Sequence, residues 1–588
     1  MGDRLTPLLW RTGLALALVC GIGLLPWLSH TDPALTVLRA RSADRAPTPE
    51  VLADIRAQLG LEAGPSHLLG QWAGGLWHGD AGRSWLSGAE VAPAVLQALG
   101  VSLLLMAVAL VAAAGTVALV CARTLYRRGG RRRAGGGSAV LAALPEFLTA
   151  SVLATVVGVQ LGWLPALGWY GPRWTVLPAL ALGLPAGAVL GRLLDDLLPG
   201  AFAEPWAVAA VARGLPRRSI ARHAVHRCLP GLLPNLGLFV VGLTGGSVAV
   251  EQIFDIPGLG RTTLQAALAQ DLPVLQAGTL VLVLLAAAAA GVARLAARLL
   301  TGPALRDGAL PTLHRPTPPA RGAQPLVHGG ALLVVIALGL PRDPVALDTG
   351  RRLRPPSWAH PFGTDALGRD MLGRVAHGAF DTLLLAVAIG AVSLLAGLVL
   401  GALPRLSGPL ADTLNAVPPV LGALLVTAVA GSGPATPAIA VSAVAWAPLA
   451  AHTSALLRQE RAAPHVTVAR GLGAGRRHLL RRALLPAVLP PVTRHALLRL
   501  PGTALALASL AFLGLGAQPP SPEWGLLLAE NQPYAERAPW AVLAPAAVLA
   551  LLGALAVSAA GGVRRPRRSA TEAAMEQPSR AREPAGAR

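Results

Sequence analysis

Apolar runs of spanning length, or near it, recur at about 5–28, 94–122, 138–161, 174–198, 229–251 and 274–300. They return at about 326–341, 379–403, 412–430, 436–457, 487–513 and 539–562. A helix rises about 1.5 Å per residue, so about 20 apolar residues cross a hydrocarbon layer of about 30 Å. The pattern predicts an all-α polytopic membrane protein with two tandem groups of six helices. The run at 326–341 is short for a span, and Pro418-Pro419 interrupts the run at 412–430. Between the groups, Thr301 to Gln324 is polar, Pro-rich and basic, the composition of a linker. The expected organisation is a first domain over 1–300, a cytoplasmic linker over 301–325, a second domain over 326–563 and a basic, disordered tail over 564–588. The first run has the charge and apolar core of a signal peptide, but it spans a bilayer and lacks a small-x-small cleavage site, which predicts a retained helix. In the long segment after it, Val51, Leu52, Ile55 and Leu59 have helical apolar spacing and predict a short amphipathic helix over Pro49 to Leu61, outside the bilayer.

Two basic stretches interrupt the apolar pattern, Ala210 to Pro230 and Thr467 to Pro486. They share Ala-Arg-Gly-Leu, at Ala212 to Leu215 and Ala469 to Leu472, an offset of 257 residues. That offset is too long for a solenoid repeat and suits two homologous halves. Gly214 and Gly473 each separate a small-residue stretch from an arginine-rich one. Each predicts a helix–turn–helix along the membrane surface, with glycine allowing the reversal.

Of the 588 residues, 53% are hydrophobic and 13% charged, which excludes a soluble multidomain protein. The net charge of +21 could suggest nucleic-acid binding, but aromatic residues make up only 4%, too few for base stacking, and the arginines cluster beside apolar runs. Arg123, Arg127, Arg128 and Arg131 to Arg133 follow the second run, Arg213 to Arg227 the fourth, Arg470 to Arg482 the tenth and Arg564 to Arg568 the last. All four groups lie on one side if both termini are cytoplasmic. All 50 basic residues are arginine. A phosphate-binding loop of the form GxxxxGK[ST] requires lysine, so a standard ATP site is not expected in this chain. Cys20, Cys121 and Cys228 lie in or beside apolar runs without CxxC spacing and read as packing residues. Ionisable residues inside the runs are few, with Glu146, Asp381 and Asp412 near helix ends among them. A proton- or sodium-coupled transporter normally needs a buried charged relay, so coupling from outside the bilayer is favoured. Glu146 is the best candidate for a pore-lining contact, against the plainer reading of a helix-end residue at the interface. The histidines lack clustered metal-ligand spacing, and no metal site is expected.

The second basic stretch resembles the EAA loop of bacterial ABC importer permeases: Thr467, Val468 and Ala469, then Gly473, then Leu485-Pro486 at the family's spacing. Both copies lack the glutamate, with Val208 and Thr467 at its place, and the first has Leu229-Pro230 standing 15 residues after Gly214 rather than 12. Further segments are similar to the two related subunits of the dipeptide, oligopeptide and nickel permeases. In the first half these are LSHTDPA (Leu28 to Ala34), GDAGRSWLSGAEV (Gly79 to Val91), LGWLP (Leu161 to Pro165) and GGSVAVEQIFDIPGLG (Gly245 to Gly260). In the second they are HPFGTDALGRDMLGRVAHGA (His360 to Ala379) and LAFLGLGAQPPSPEWG (Leu510 to Gly525). Their order is that of a fused pair. The tail SAAGGVRRPRRS (Ser558 to Ser569) departs from the partner subunit's usual ending.

The resemblance implies the transmembrane part of an ATP-driven importer in a bacterial plasma membrane, with peptides as substrate and nickel or a metal chelate as the alternative. It implies two loops, near 205–230 and 460–486, on which separate ATP-binding domains dock. The contacts would fall at Ala209, Ala210, Gly214, Leu215, Val468, Ala469, Gly473, Leu485 and Pro486. ATP and Mg would be held by those partners, with no cofactor on this chain and no enzymatic chemistry. At the other face, an extracytoplasmic substrate-binding protein would meet turns made by Glu251, Phe254, Pro257, Gly258 and Gly260 from one half. The other half would contribute Gly363, Asp365, Gly368, Arg369, Asp370, Gly514, Gly516, Pro522, Glu523 and Trp524. Gly and Pro directly after an apolar helix force it to stop and fold back there. A secondary transporter or channel without ATP coupling stays open as the reading from another class.

Overall fold

A computed structural model describes residues 2–29, 33–41, 46–60, 64–127, 141–300, 323–403, 419–431 and 433–561, with positions 408, 410, 411 and 414. Most of the expected linker, the tail, Asp412 and the arginines at 128 and 131–133 lie outside the described residues. The first half runs α1 (Gly2–Gly23), α2 (Leu25–Leu28), α3 (Pro33–Arg41), α4 (Pro49–Gln58), α5 (Pro65–Trp77) and α6 (Val91–Arg127). It continues with α7 (Glu146–Leu153), extended by a π-helical segment Ala154–Gln160, then α8 (Pro172–Phe202), α9 (Pro205–Ala212), α10 (Arg217–Ile253), α11 (Leu259–Leu268) and α12 (Leu272–Leu300). The second half runs α13 (Gln324–Gly339), α14 (Met371–Gly401), α15 (Pro419–Ala430), α16 (Thr436–Arg461) and α17 (Pro464–Gly471). Then come α18 (Arg476–Leu479), a π-helical turn Leu480–Leu484, α19 (Leu485–Phe512), α20 (Trp524–Asn531) and α21 (Pro539–Gly561).

Among the described residues seven helices are long and apolar enough to cross a membrane. Four shorter apolar helices stand at other runs: Gln324–Gly339 and Val420–Ala430, where the runs were short or interrupted, and Thr12–Gly23 and Glu146–Gln160, where runs of spanning length were expected. The protein is therefore an all-α multi-pass membrane protein, with α10 as the counterpart of the continuous helix Arg476–Phe512. The amphipathic helix forms as α4, with Thr48 Oγ1 accepting from Val51 N at its start. Helices α3 and α5 on either side of it were not expected.

Close approach of the spanning helices rests on small residues. On α8, Gly183, Gly187 and Gly191 recur every fourth residue against α6, where a Cβ would lie 2.6 Å from Ala109 O and 2.5 Å from Ala113 O at the first two. The second half places its glycines on the other helix of the pair: Gly397 and Gly401 of α14 meet Leu449 and Thr453 of α16. In lipid, where apolar burial drives little association, such small-residue faces are what let helix backbones pack. Cys121 and Cys228 are buried in an apolar cluster with Leu194 and Leu198, and the Cys121 thiol donates to Gly191 O at 3.3 Å, as packing residues would.

The halves meet along a seam. Phe147 of α7 and Phe512 of α19 meet with ring centroids 5.9 Å apart and planes tilted by 36°. Gln160 Nε2 donates to Ala535 O at 2.8 Å, and Gln270 Nε2 donates to Thr427 O at 3.2 Å.

Candidate functional site

The two basic stretches form the same structure, in a register the shared tetrapeptide does not give. Short helices begin at Pro205 and Pro464, the turn glycines are Gly214 and Gly473, and the next helices begin at Arg217 and Arg476, a constant offset of 259. Ala-Arg-Gly-Leu is thus two residues out of register, because Gly471 is the last residue of α17 whereas Gly214 is the turn. Each turn closes with a Schellman pair. Leu215 N donates to Ala210 O at 3.1 Å and Gly214 N to Val211 O at 3.0 Å; Ala474 N donates to Ala469 O at 3.0 Å and Gly473 N to Arg470 O at 3.1 Å. This motif places its C′ residue in left-handed conformation. Gly214 has φ 72° and Gly473 φ 89°, and open space surrounds both, so the requirement is conformational and not steric.

The expectation of a helix–turn–helix lying along the surface is corrected here. Only the first arm is separate; the arginine-rich second arm is the base of the fifth long helix of its half, α10 or α18–α19. Arginine is a good helix former, so the helix starts well before its apolar part. Leu485 and Pro486 accordingly lie nine residues into that helix, about 14 Å from its start, and are not brought together with the turn. Ala209 and Leu215 are exposed and Ala210 is buried; Val468 is exposed and Ala469 half-buried. Large apolar side chains stand exposed around both turns: Val208, Val211 and Leu215 in one, Val468 and Leu472 in the other, the last 84% exposed. In the first, Phe202, Ala207, Val208, Val211, Ala212 and Ile220 line a groove of about 360 Å³. The copies differ in bracing. Arg227 of α10 grips Glu204 with Nε at 3.1 Å and Nη2 at 2.8 Å, and Trp206 Nε1 adds a bond at 2.8 Å. The corresponding positions in the second half are Ala463 and Pro486.

At the opposite ends of these helices, several residues expected to face a partner are interior. Glu251 is fully buried, accepting from Ser102 Oγ at 2.6 Å and Arg261 N at 2.9 Å, while Ser102 Oγ accepts from Leu259 N at 2.8 Å. The Pro-Gly-Leu-Gly turn folds over that carboxylate, so Gly258 has no room for a side chain: a Cβ would lie 2.3 Å from Glu251 Cδ. Gly258→Ala is expected to cost about 1–3 kcal/mol through overpacking, read as a lowered melting temperature of the solubilised chain. Gly260 is held by Val248, and buried Phe254 accepts at its carbonyl from Gly168 N at 2.7 Å, tying the turn to the loop that follows Leu161–Pro165. Asp255 and Pro257 remain exposed, with Asp255 ion-paired to Arg261.

In the second half, Asp365 and Arg369 are buried in a network with two residues that sequence reasoning missed, Arg374 and Glu530. Arg374 Nη1 is 2.9 Å from Asp365 Oδ2 and Nη2 2.9 Å from Glu530 Oε2; Arg369 Nε is 2.7 Å from Asp365 Oδ2 and Nη2 3.3 Å from Glu530 Oε2. Asp370 caps α14 through Gly373 N at 2.8 Å and holds Arg342 at 2.9 Å and His360 at 2.7 Å. Two charged residues in the first turns of an apolar helix, Asp370 and Arg374, were the available signal. Trp524 is buried and donates to Val375 O at 2.8 Å; Pro522 O presses against Gly378, where a Cβ would be 2.0 Å away. Glu523 is half-buried, and burial chiefly, then the Asp381 charge, raises its carboxyl above the ordinary range against the Ala517 N–H. Gly363, Gly368 and Gly514 adopt φ 73°, 79° and 78°, and Gly516 is buried against Ala511. Glu251, Asp365 and Arg369 are thus internal struts of the turns, and Asp255, Pro257 and Gln518 to Pro520 form the exposed rim.

The loops before α6 and α14 also prove to be one device. Arg83 bridges Glu90 and Thr364 bridges Asp370, with Gly88 and Gly368 at equivalent left-handed positions. In the first half Asp271 receives Ser84 Oγ and, at 3.0 Å, Trp85 N. Glu146 heads α7 at the seam. It borders a cleft of about 190 Å³ with Pro185, Ala186 and Val189, and its Cδ would be 3.1 Å from a Cβ on Gly246.

A helical chain that crosses a membrane many times and repeats one turn-and-long-helix unit in each half is a duplicated polytopic membrane protein. It belongs to the family described as binding-protein-dependent transport system inner membrane component, which it matches twice, over residues 114–302 and 389–567. It is similar to the di/tripeptide transport system permease protein DppC of Pseudomonas aeruginosa (strain UCBPP-PA14), 35% identical over 251 residues that cover 38% of this chain and 83% of the relative. A putative peptide transport system permease protein of Brucella abortus (strain 2308) is 33% identical over 258 residues, 42% of this chain and 80% of the relative. A putative peptide permease protein of Brucella suis biovar 1 (strain 1330) is 35% identical over 199 residues, 32% and 66% of the two chains. The chain is the membrane subunit of an ABC importer.

Proposed function

We propose that this chain forms the translocation path of an ATP-driven importer of dipeptides and oligopeptides in a bacterial inner membrane, with both termini cytoplasmic. Separate ATP-binding subunits dock on the turns at Gly214 and Gly473, hold the ATP and Mg, and drive the two halves between inward- and outward-open arrangements. An extracytoplasmic binding protein delivers substrate to the rim around Asp255, Pro257 and Gln518 to Pro520. The observation that carries this reading is the exposed apolar set at both turns, Val208, Val211 and Leu215 with Val468 and Leu472, on a basic loop of a lysine-free chain. Clustered exposed apolar side chains mark a surface that a partner covers. The names of the relatives favour peptides as substrate. The position of Glu146 at the seam and beside its cleft supports reading it as a contact along the path.

The test is coexpression of the tagged chain with candidate ATP-binding and substrate-binding subunits. The chain is expected to copurify with an ATPase and, in proteoliposomes, to take up a labelled dipeptide only when ATP is supplied to the ATPase side. Uptake without ATP and without a captured ATPase overturns the reading. ATP-driven nickel uptake without peptide uptake moves the substrate to the metal alternative.

A further inference from the structure

The second half carries three basic side chains inside its membrane-spanning helices that no step above uses. His452 of α16 and His495 of α19 stack with ring centroids 4.9 Å apart and planes 29° from parallel. Arg499 lies one helical turn beyond His495 on the same face, close enough for their charges to interact. Arg499 is 13 residues from the end of α19 at Phe512, about 20 Å along a helix read as crossing a hydrocarbon layer of about 30 Å. Its side chain is exposed, and among the described residues no carboxylate pairs with it. A charged side chain at that depth faces protein or water and not lipid. The outer end of α19 touches the other half through Phe512 and Phe147, so that end of the helix lies at the seam where a path between the halves would open. The feature is confined to one half. At the offset of 259, the matching sequence positions are Leu193, Leu236 and Val240, which shows that the architecture does not need the basic groups.

We propose that His452, His495 and Arg499 form an anion-binding station on the translocation path that takes the free α-carboxylate of a passing short peptide. Arg499 supplies the fork of N–H donors suited to a carboxylate, and the two imidazoles supply the remaining polar lining. The ligand class rests on the peptide reading; the site itself does not. In proteoliposomes holding the full complex, Arg499→Gln is expected to cut uptake of Ala-Phe at least tenfold, Arg499→Lys to restore part of it by charge without the fork, and both to leave uptake of Ala-Phe amide at the wild-type rate. Equal loss for the two probes, or loss for neither, overturns the station. The chain alone in nanodiscs provides a second measurement, with ligand-observed NMR of Ala-Phe and its amide. A carboxylate-dependent signal that Arg499→Gln removes supports the site, and its absence from the wild type overturns the site whatever the complex transports. Uptake of nickel and of neither peptide overturns the peptide reading, while the nanodisc binding still decides the station.

Discussion

Gly214→Pro combined with Gly473→Pro is expected to reduce ATP-driven uptake to background while leaving membrane insertion and yield unchanged. Proline fixes φ near −65°, and these positions require 72° and 89°. Proline also lacks the N–H, so the bonds from Gly214 to Val211 O and from Gly473 to Arg470 O are lost with the turn. No atom lies within 4 Å of a Cβ at either position, so the spanning bundle has nothing to clash with and only the short helices α9 and α17 are redirected. A milder pair, Gly214→Ala with Gly473→Ala, should retain partial uptake, because left-handed backbone costs a non-glycine residue only about 1–2 kcal/mol per position. Proteoliposome uptake together with ATPase copurification measures both pairs. Unchanged uptake in the proline pair would remove these turns from the docking assignment.

The largest stability effect is expected at Arg374. Its side chain is fully buried and balances Asp365 and Glu530 together. Arg374→Met leaves the buried Asp365 with Arg369 alone and removes the guanidinium that joins the start of α14 to the end of α20. Breaking a buried ion pair by deleting one partner costs about 3–5 kcal/mol, since the remaining charge stays out of water. The solubilised variant should therefore melt several degrees below the wild type, and Arg374→Met with Asp365→Asn should recover part of the difference. A double variant no better than the single one would show that the pair does not act as a unit.

How far the chain could be read follows from which contacts are local. Spanning helices declare themselves through composition, and the short runs that became α13 and α15 were visible as short. The beginnings of α10 and α18 were not, because Arg217 to Arg227 and Arg476 to Arg482 interrupt the apolar pattern without interrupting the helix. The turn glycines were legible as chain reversals, yet the conspicuous Ala-Arg-Gly-Leu repeat suggested a register two residues from the structural one. The outer turns were found by their Gly and Pro content, but not what fills them. Glu251 meets Ser102 from 149 residues away, and Arg369 meets Glu530 from 161 away, pairings that no local pattern encodes. Exposure was misjudged at Glu251, Asp365 and Arg369 for that reason: a charged residue in a loop reads as solvated until its partner is known.

The fifth helices have a mechanical consequence. Arg217–Ile253 and Arg476–Phe512 are each 37 residues long, about 55 Å from end to end. Each joins a basic turn at one end to a fold-back turn at the other without a break in the chain of helical residues, although prolines and, in the second, a π-helical turn interrupt the regular base. A rod of that length behaves as a lever: tilting it by about 10° about one end carries the other through about 10 Å. A small tilt at the basic turn is thereby carried to the far turn with no relay of small rearrangements between them.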